Sequence, residues 1–484
     1  MSLPTRSRLL AGTILIATVV PSLASWSESP RDAAGVTRAL HQDPERVPLG
    51  GPATVRDVTP DAFSYPAKVL DRKQRRAFVV GNALFKDNWV AAPGSAEGRD
   101  GLGPLFNARS CSACHFKDGR GCPPEAGEWT GNGVAVTGFL LRLGVQADGP
   151  DAPHPVYGGQ LQDRSTNPGE AEARFRVVVD EIEGQYEDGE PYSLLFPGYE
   201  FDEASHGDLQ DDGVLLGPRV APQVIGLGLL QAIPVESLEA LADPEDEDGD
   251  GISGRIHWVR VNGEGGEELR VPGRFGWKAT QPTVRHQSAG ALNGDMGLTT
   301  SLHPAENHTA AQLPDLDYHS GGAPEVDDKK LDRIAFYSET LAVPAQRNPE
   351  DPLVLRGEVL FEEIGCAQCH TPIQRTGDEA CVEAFENVAF RPYTDMLLHD
   401  MGPELADEKT DGDASPVEWR TPPLWGIGLF ETVNGHSRYL HDGRARDLAE
   451  AVLWHGGEGE ASKERFRALS KSQRADLLEF LRSL

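Results

Sequence analysis

Cys111-Ser112-Ala113-Cys114-His115 and Cys366-Ala367-Gln368-Cys369-His370 decide how this chain is read. Each is a Cys-x-x-Cys-His unit. In that unit two thiols add to the vinyl groups of a haem, and the adjacent imidazole is placed to reach the iron from one side. Zinc knuckles pair their Cys-x-x-Cys units much closer in sequence than 111 and 366. A redox dithiol needs no His after its second Cys. Cys111, Cys114, Cys366 and Cys369 are therefore expected to hold two covalent c-type haems, with His115 and His370 as the proximal iron ligands.

The motifs lie in two similar halves, the signature of an internal duplication. Gly81, Leu84 and Phe85 precede the first motif as Gly357, Leu360 and Phe361 precede the second. Pro222, Gly226, Gly228 and Leu229 are matched in spacing by Pro422, Gly426, Gly428 and Leu429. Each half closes on an amphipathic helix, with Ile334, Tyr337 and Leu341 in one and Leu477, Phe480 and Leu484 in the other at helical spacing. The pattern predicts a mainly α fold of two tandem cytochrome c-like helical domains, 76–342 and 353–484, joined by a Pro-rich linker. The first is about twice as long. Its surplus is expected in an insertion at 133–215, with β-type runs at 134–143 and 175–179 and turn signals at Asp188-Gly189 and Asp212-Gly213, and in an acidic loop at 243–257.

Arg6 and Arg8, the apolar run Leu9 to Val20 and the small-residue site Ser22-Leu23-Ala24 read as a signal peptide, 1–24, cleaved after Ala24. The run falls short of the ~20 residues that span a bilayer, and no later segment is long and apolar enough to do so. The expected destination is the periplasm. Residues 25–75 are polar and Pro-punctuated, an extended N-terminal arm. The net charge of −31 argues against nucleic acid or an anionic membrane as partner and suits a basic electron-transfer protein. With 36 prolines and 53 glycines, loops should be long and helices short. No phosphate-binding loop or hydrolytic constellation is present.

Asp246, Asp248 and Asp250 alternate before Gly251, the first half of a calcium loop in which oxygens converge on one hard cation. His257 stands where such a loop carries its bidentate Glu. Cys122 and Cys381 each follow a haem motif; an exported chain could pair them as a disulfide or keep two thiols.

Several segments together carry a family resemblance: Gly101 to His115, Gly273 to Pro282, Asp295 to Thr300, Leu397 to Pro403 and Leu453 to Glu458. Over about 80–484 the chain resembles the di-haem oxidoreductase family of peroxidase-like proteins. It is similar, more distantly, to bacterial di-haem cytochrome c peroxidases and to the methylamine-utilisation di-haem enzyme. The resemblance implies that Trp277 lies between the haems and that Gln287, ten residues on, lines the peroxide pocket of the first. It also implies that Asp295 takes the place of the acidic residue that moves a proton. In the second half Tyr439, His441 and Asp442 match a Tyr-Phe-His-Asp segment of the relatives. Fourteen residues beyond His441 stands His455, the implied sixth ligand of the second iron, with Met401 as the competing one. His154, His206, His257, His286, His303, His308 and His319 stand at no spacing that singles one out for the first iron, so that iron is expected to be open.

The expected function is a periplasmic oxidoreductase of peroxidase type. A small soluble donor of cytochrome or cupredoxin type reduces the second haem, and hydrogen peroxide or a similar small oxidant is reduced at the first. The competing readings are an electron-transfer protein with both irons six-coordinate, and a haem oxygenase or protein-modifying oxidase of the same architecture.

Overall fold

Each half of the molecule is built on two helices that cross at a glycine. In the first half Arg72–Lys86 starts in a capping box between Asp71 and Gln74 and buries Phe78, Gly81 and Phe85. It packs on Asp328–Glu339, which buries Leu331, Ile334 and Tyr337. In the second half Pro352–Glu363 packs on Lys471–Ser483, capped by Ser470 and Gln473. A Cβ at position 81 would overlap the carbonyl of Arg333 and the Cβ of Tyr337; one at 357 would overlap the carbonyl of Asp476 and the Cβ of Phe480. The same close crossing thus occurs twice, and only glycine allows it. Aromatic pairs fill in beside each crossing, Phe78 on Tyr337 and Phe361 on Phe480, with ring centroids 4.7 and 5.3 Å apart.

The computed structural model describes residues 48–484, apart from 96–97, 148–150, 167–170, 203, 206, 208, 210–212, 263–266 and 317–318. The expected signal peptide, residues 25–47 of the expected arm, His206 and Asp212 lie outside the described residues.

The fold is a mixture of α and β, which corrects the expectation of a mainly α molecule. Among the described residues eleven α-helices accompany fourteen strands paired in seven two-stranded sheets. Phe139–Val145 pairs antiparallel with Val214–Val220. Arg174–Gln185 and Pro191–Asp202 form a hairpin with twelve residues in each strand. Trp258–Asn262 pairs with Glu268–Pro272. The second half has ladders too, Gln374–Arg375 with Ala389–Phe390 and Leu398–Asp400 with Glu418–Arg420. The physical reason is local. Prolines and glycines keep many helices to one or two turns, such as Cys111–Cys114 and Leu227–Gln231, and the long connections between them satisfy their backbone groups by pairing with one another.

Residues 48–71 run along the junction of the halves. Thr54–Val55 pairs in parallel with Val343–Pro344 of the linker. Phe63 is fully buried and packs edge-on against Phe430 of the second half, with centroids 6.4 Å apart. One continuous core therefore holds Phe63, Ile225, Tyr337, Trp425 and Phe480 together.

Candidate haem sites

Cys111–Cys114 is a single helical turn, and His115 follows as its C-cap. The His115 ring is fixed by Nδ1, which lies 2.7 Å from the carbonyl of Pro222 and donates to it. That leaves Nε2, the nitrogen an iron would use, outside this bond. Phe85 packs beside the ring at 6.1 Å. Asp118 anchors the turn, accepting from Tyr337 Oη and Ser64 Oγ at 2.6 Å each. The second motif repeats the device with a different acceptor: His370 Nδ1 donates to the carbonyl of Tyr393 at 3.0 Å. All six cysteines, Cys122 and Cys381 included, are free thiols. Burial pushes the thiols of Cys111 and Cys366 up to about 12. Burial lowers the imidazoles, His370 to about 4, so both are neutral at pH 7. At each motif two free thiols and one neutral imidazole with an available Nε2 form a donor set that fits a covalently held haem.

At the second site His455 Nδ1 donates to the carbonyl of Ala451 at 2.8 Å, so its Nε2 is available as well. His455 and His399 are among the groups whose charge acts on His370. Met401 lies next to His455: the Cε of one and the Cβ of the other would both meet a side chain at Gly459. His399 bonds to two carboxylates, Asp395 Oδ2 at 2.8 Å and Glu458 Oε2 at 2.6 Å, and its Nδ1 is 3.6 Å from Cys369 Sγ. Burial alone would lower its pKa; the hydrogen bonds from these partners overcome that and hold it well above the usual range.

The neighbours of His115 are different. The charge nearest in effect is Asp295, which acts on Cys111, Cys114 and His115 alike. Asp295 ends the helix Val284–Met296, and burial raises its pKa against the pull of Arg142 and a hydrogen bond from Gln160. Gln160 Nε2 lies 2.9 Å from Asp295 Oδ1. Gln287 is on the same helix, about 12 Å along it from Asp295 at 1.5 Å per residue, and its amide lies beside Gly276. The amide on Asp295 is thus that of Gln160, supplied by the insertion. Nothing in the spacing of 160 marks it in sequence; only the register of Arg142 with Gln160 brings it there.

Glu172 belongs to the same buried region, accepting from the backbone N of Gln162 at 2.5 Å and from Gln312. Burial raises its pKa to about 8. The folded protein then keeps a proton that the unfolded chain releases above about 4.5. Stability should therefore fall by about 1.4 kcal/mol per pH unit as pH rises through that window. Denaturant melts of Glu172→Gln and the parent, compared from pH 5 to 8, should diverge with the variant gaining; parallel curves would contradict the assignment.

Between the sites Trp277 donates Nε1 to the carbonyl of Val220 at 2.8 Å, and its own carbonyl accepts from Arg420 N at 2.9 Å. Arg120, five residues past His115, lies over the Trp277 ring at 5.2 Å and over Phe430 at 5.6 Å. Its Nη2 donates to the carbonyl of Leu440. Trp277 therefore stands where the first motif meets the second half. Beside it Lys278 is fully buried, 3.2 Å from Asp407, which Arg219 also meets at 2.7 Å. Trp419 lies under Lys278 and Arg219, at 4.3 and 4.7 Å, and stacks on His441 with centroids 3.7 Å apart.

The acidic loop brings Asp243, Asp246 and Asp248 together, with one carboxylate oxygen of each within 4.8 Å of the others. Asp250 turns instead to Gln368 Nε2, at 2.8 Å, inside the second haem motif. Ser253 donates to Glu458 at 2.8 Å, the carboxylate that holds His399. His257 is used on both ring nitrogens, by the carbonyl of Lys278 and the backbone N of Asp413.

The model of the family described as "Di-haem oxidoreductase, putative peroxidase" matches residues 48–143 and 177–484. No curated protein and no solved structure matches the chain.

Proposed function

Because this chain belongs to the di-haem oxidoreductase family, we propose that it is a peroxidase-type enzyme in which the second haem takes up electrons and the first reduces peroxide. Cys111 and Cys114 hold one haem covalently, and Cys366 and Cys369 the other. The observation that carries the assignment of roles is the contrast between the two imidazoles. His370 has His455 as a neighbouring ring with its Nε2 available, a pair suited to a closed, six-coordinate iron. Among the described residues no histidine is one of the groups whose charge acts on His115, but a buried carboxyl, Asp295, is, a group suited to moving protons; the buried carboxyl that acts on His370, Asp395, is already paired with His399.

Bound haem supplies the redox-active iron, and an iron with an open position can bind a small oxidant. The chain supplies the rest. His115 and His370, each fixed by a backbone carbonyl, hold the irons and keep the imidazoles neutral. Trp277 and the Arg120 contact give electrons a packed route between the halves. Asp295 moves the proton as the O–O bond breaks. The donor is a small soluble cytochrome or cupredoxin-type protein, and the setting is the periplasm, reached through the leader of residues 1–24. No helix among the described residues is long and apolar enough to cross a membrane. A reduced small cytochrome mixed with the enzyme and hydrogen peroxide should be oxidised, two molecules for each peroxide consumed. A cytochrome that stays reduced would refute the reading.

Asp243, Asp246 and Asp248 are proposed to hold a calcium ion that braces the second site through Asp250–Gln368 and Ser253–Glu458. A chelator should then lower the melting temperature and perturb the absorption of the second haem. If neither moves, the loop is a solvated acidic turn.

A further inference from the structure

We propose that Asp163 is a second proton-holding residue of the first haem site, and that Gln160 is the positioning residue that joins it, through Asn107, to Asp295. The inference deepens the peroxidase reading and rests on it for its chemistry. Asp163 lines the small cavity beside Cys114, together with Asn107, Thr130, Phe139 and Arg164. Asn107 Nδ2 donates to Asp163 Oδ1 at 3.1 Å and to the carbonyl of Leu161 at 2.8 Å. Asn107 Oδ1 accepts from Gln160 Nε2 at 2.6 Å, and the same amide nitrogen reaches Asp295 Oδ1 at 2.9 Å. Asp163, Asn107 and Gln160 are each at least nine-tenths buried. Two carboxyls from distant parts of the chain are therefore fixed to one another by two side-chain amides, within one dry region against the first motif.

A second observation points to an O–H group in that region. Gln160 Oε1 is buried and has no hydrogen-bond partner among the described residues. An acceptor left in that state costs about 1–3 kcal/mol, so the site is built for a donor that binds there. A protonated carboxyl or a hydroperoxide O–H is such a donor. Burial raises the pKa of both carboxyls, against the opposing charges of Arg164 at Asp163 and Arg142 at Asp295.

The proton balance gives the pair its use. Hydrogen peroxide, two protons and two electrons give two waters as the O–O bond breaks. The electrons come from the donor protein by way of the second site. One carboxyl holds only one of the two protons. With Asp295 and Asp163 each releasing one, both oxygens leave as water, and solvent then reprotonates the two carboxylates.

The test uses the full-length, haem-loaded protein and two readouts besides turnover: infrared difference spectra between oxidised and reduced protein, and the pH dependence of the first haem's midpoint potential. The parent should show two buried carboxyl C=O bands that respond to reduction. Asp163→Asn should lose one band and flatten the potential's slope against pH, with a lower kcat for peroxide and an unchanged KM; Asp163→Glu should restore all three. Gln160→Leu keeps both carboxyls, so it should shift both bands rather than delete one, which serves if Asp163→Asn does not fold. Both bands and the slope surviving in Asp163→Asn would overturn the proposal. The bands and the slope decide it whether or not peroxide is turned over, whereas an inactive parent enzyme refutes only the peroxidase reading.

Discussion

Asp295→Asn is expected to lower peroxide turnover by about 10²–10⁴-fold, the usual worth of a positioned acid–base group, with both haems still attached. Asp295 is the carboxyl whose charge reaches both thiols and the imidazole of the first motif. Its side chain is held by Gln160 at one end of a helix. Asparagine keeps the shape and loses the proton. The substitution should therefore act on kcat, leaving peroxide binding and the reduction of the second haem by its donor unchanged. Stopped-flow spectra separate these steps. A variant that turns over peroxide at the parent rate would remove Asp295 from the mechanism.

Lys278→Ala should cost about 3–5 kcal/mol of stability, the penalty for removing one partner of a buried ion pair. Lys278 and Asp407 are both fully buried and 3.2 Å apart. The ammonium also donates to the carbonyls of Ser415, at 2.5 Å, and Pro416, at 3.1 Å. Burial lowers the Lys278 pKa to about 8 against the pull of Asp407, so the charge persists at neutral pH. Removing it leaves the Asp407 carboxylate to Arg219 and the backbone N of Lys409, and strands two carbonyls. Because Lys278 adjoins Trp277 and lies over Trp419, the loss should also loosen the junction between the haem sites. Denaturant unfolding measures the first effect. A change under about 1 kcal/mol would mean that water or Arg219 repairs the gap.

Much of this architecture could be read from the chain. The two Cys-x-x-Cys-His units stand in the chain itself, and the repeated glycines mark a backbone crossing that one residue type allows. Gly81 and Gly357 stand in the same role for that reason. The strands were only partly legible. Val134 to Leu143 and Phe175 to Val179 read as β-type and do contribute to strands, but the short ladders of the second half have no periodic signal over two or three residues. Long-range side-chain partners were not legible at all. Gln160, Asp163 and Arg142 come to the first site through the pairing of Phe139–Val145 with its neighbours, and a strand register of that kind is set by the folded whole. Gln287, which the resemblance implies for the peroxide pocket, lies along the helix from Asp295 rather than beside it. In the acidic loop Asp243 gathers with Asp246 and Asp248, while Asp250 bonds to Gln368, a partner far along the chain.

We propose that the first iron has an open position and that His370 and His455 would both hold the second. Low-temperature electron paramagnetic resonance of the half-reduced, haem-loaded protein, before and after one equivalent of hydrogen peroxide, tests it most directly. A high-spin signal from the first haem that disappears on adding peroxide is expected, with a low-spin second haem in the oxidised protein that turns high-spin in His455→Ala. Two low-spin signals indifferent to peroxide would contradict it and make the protein an electron carrier.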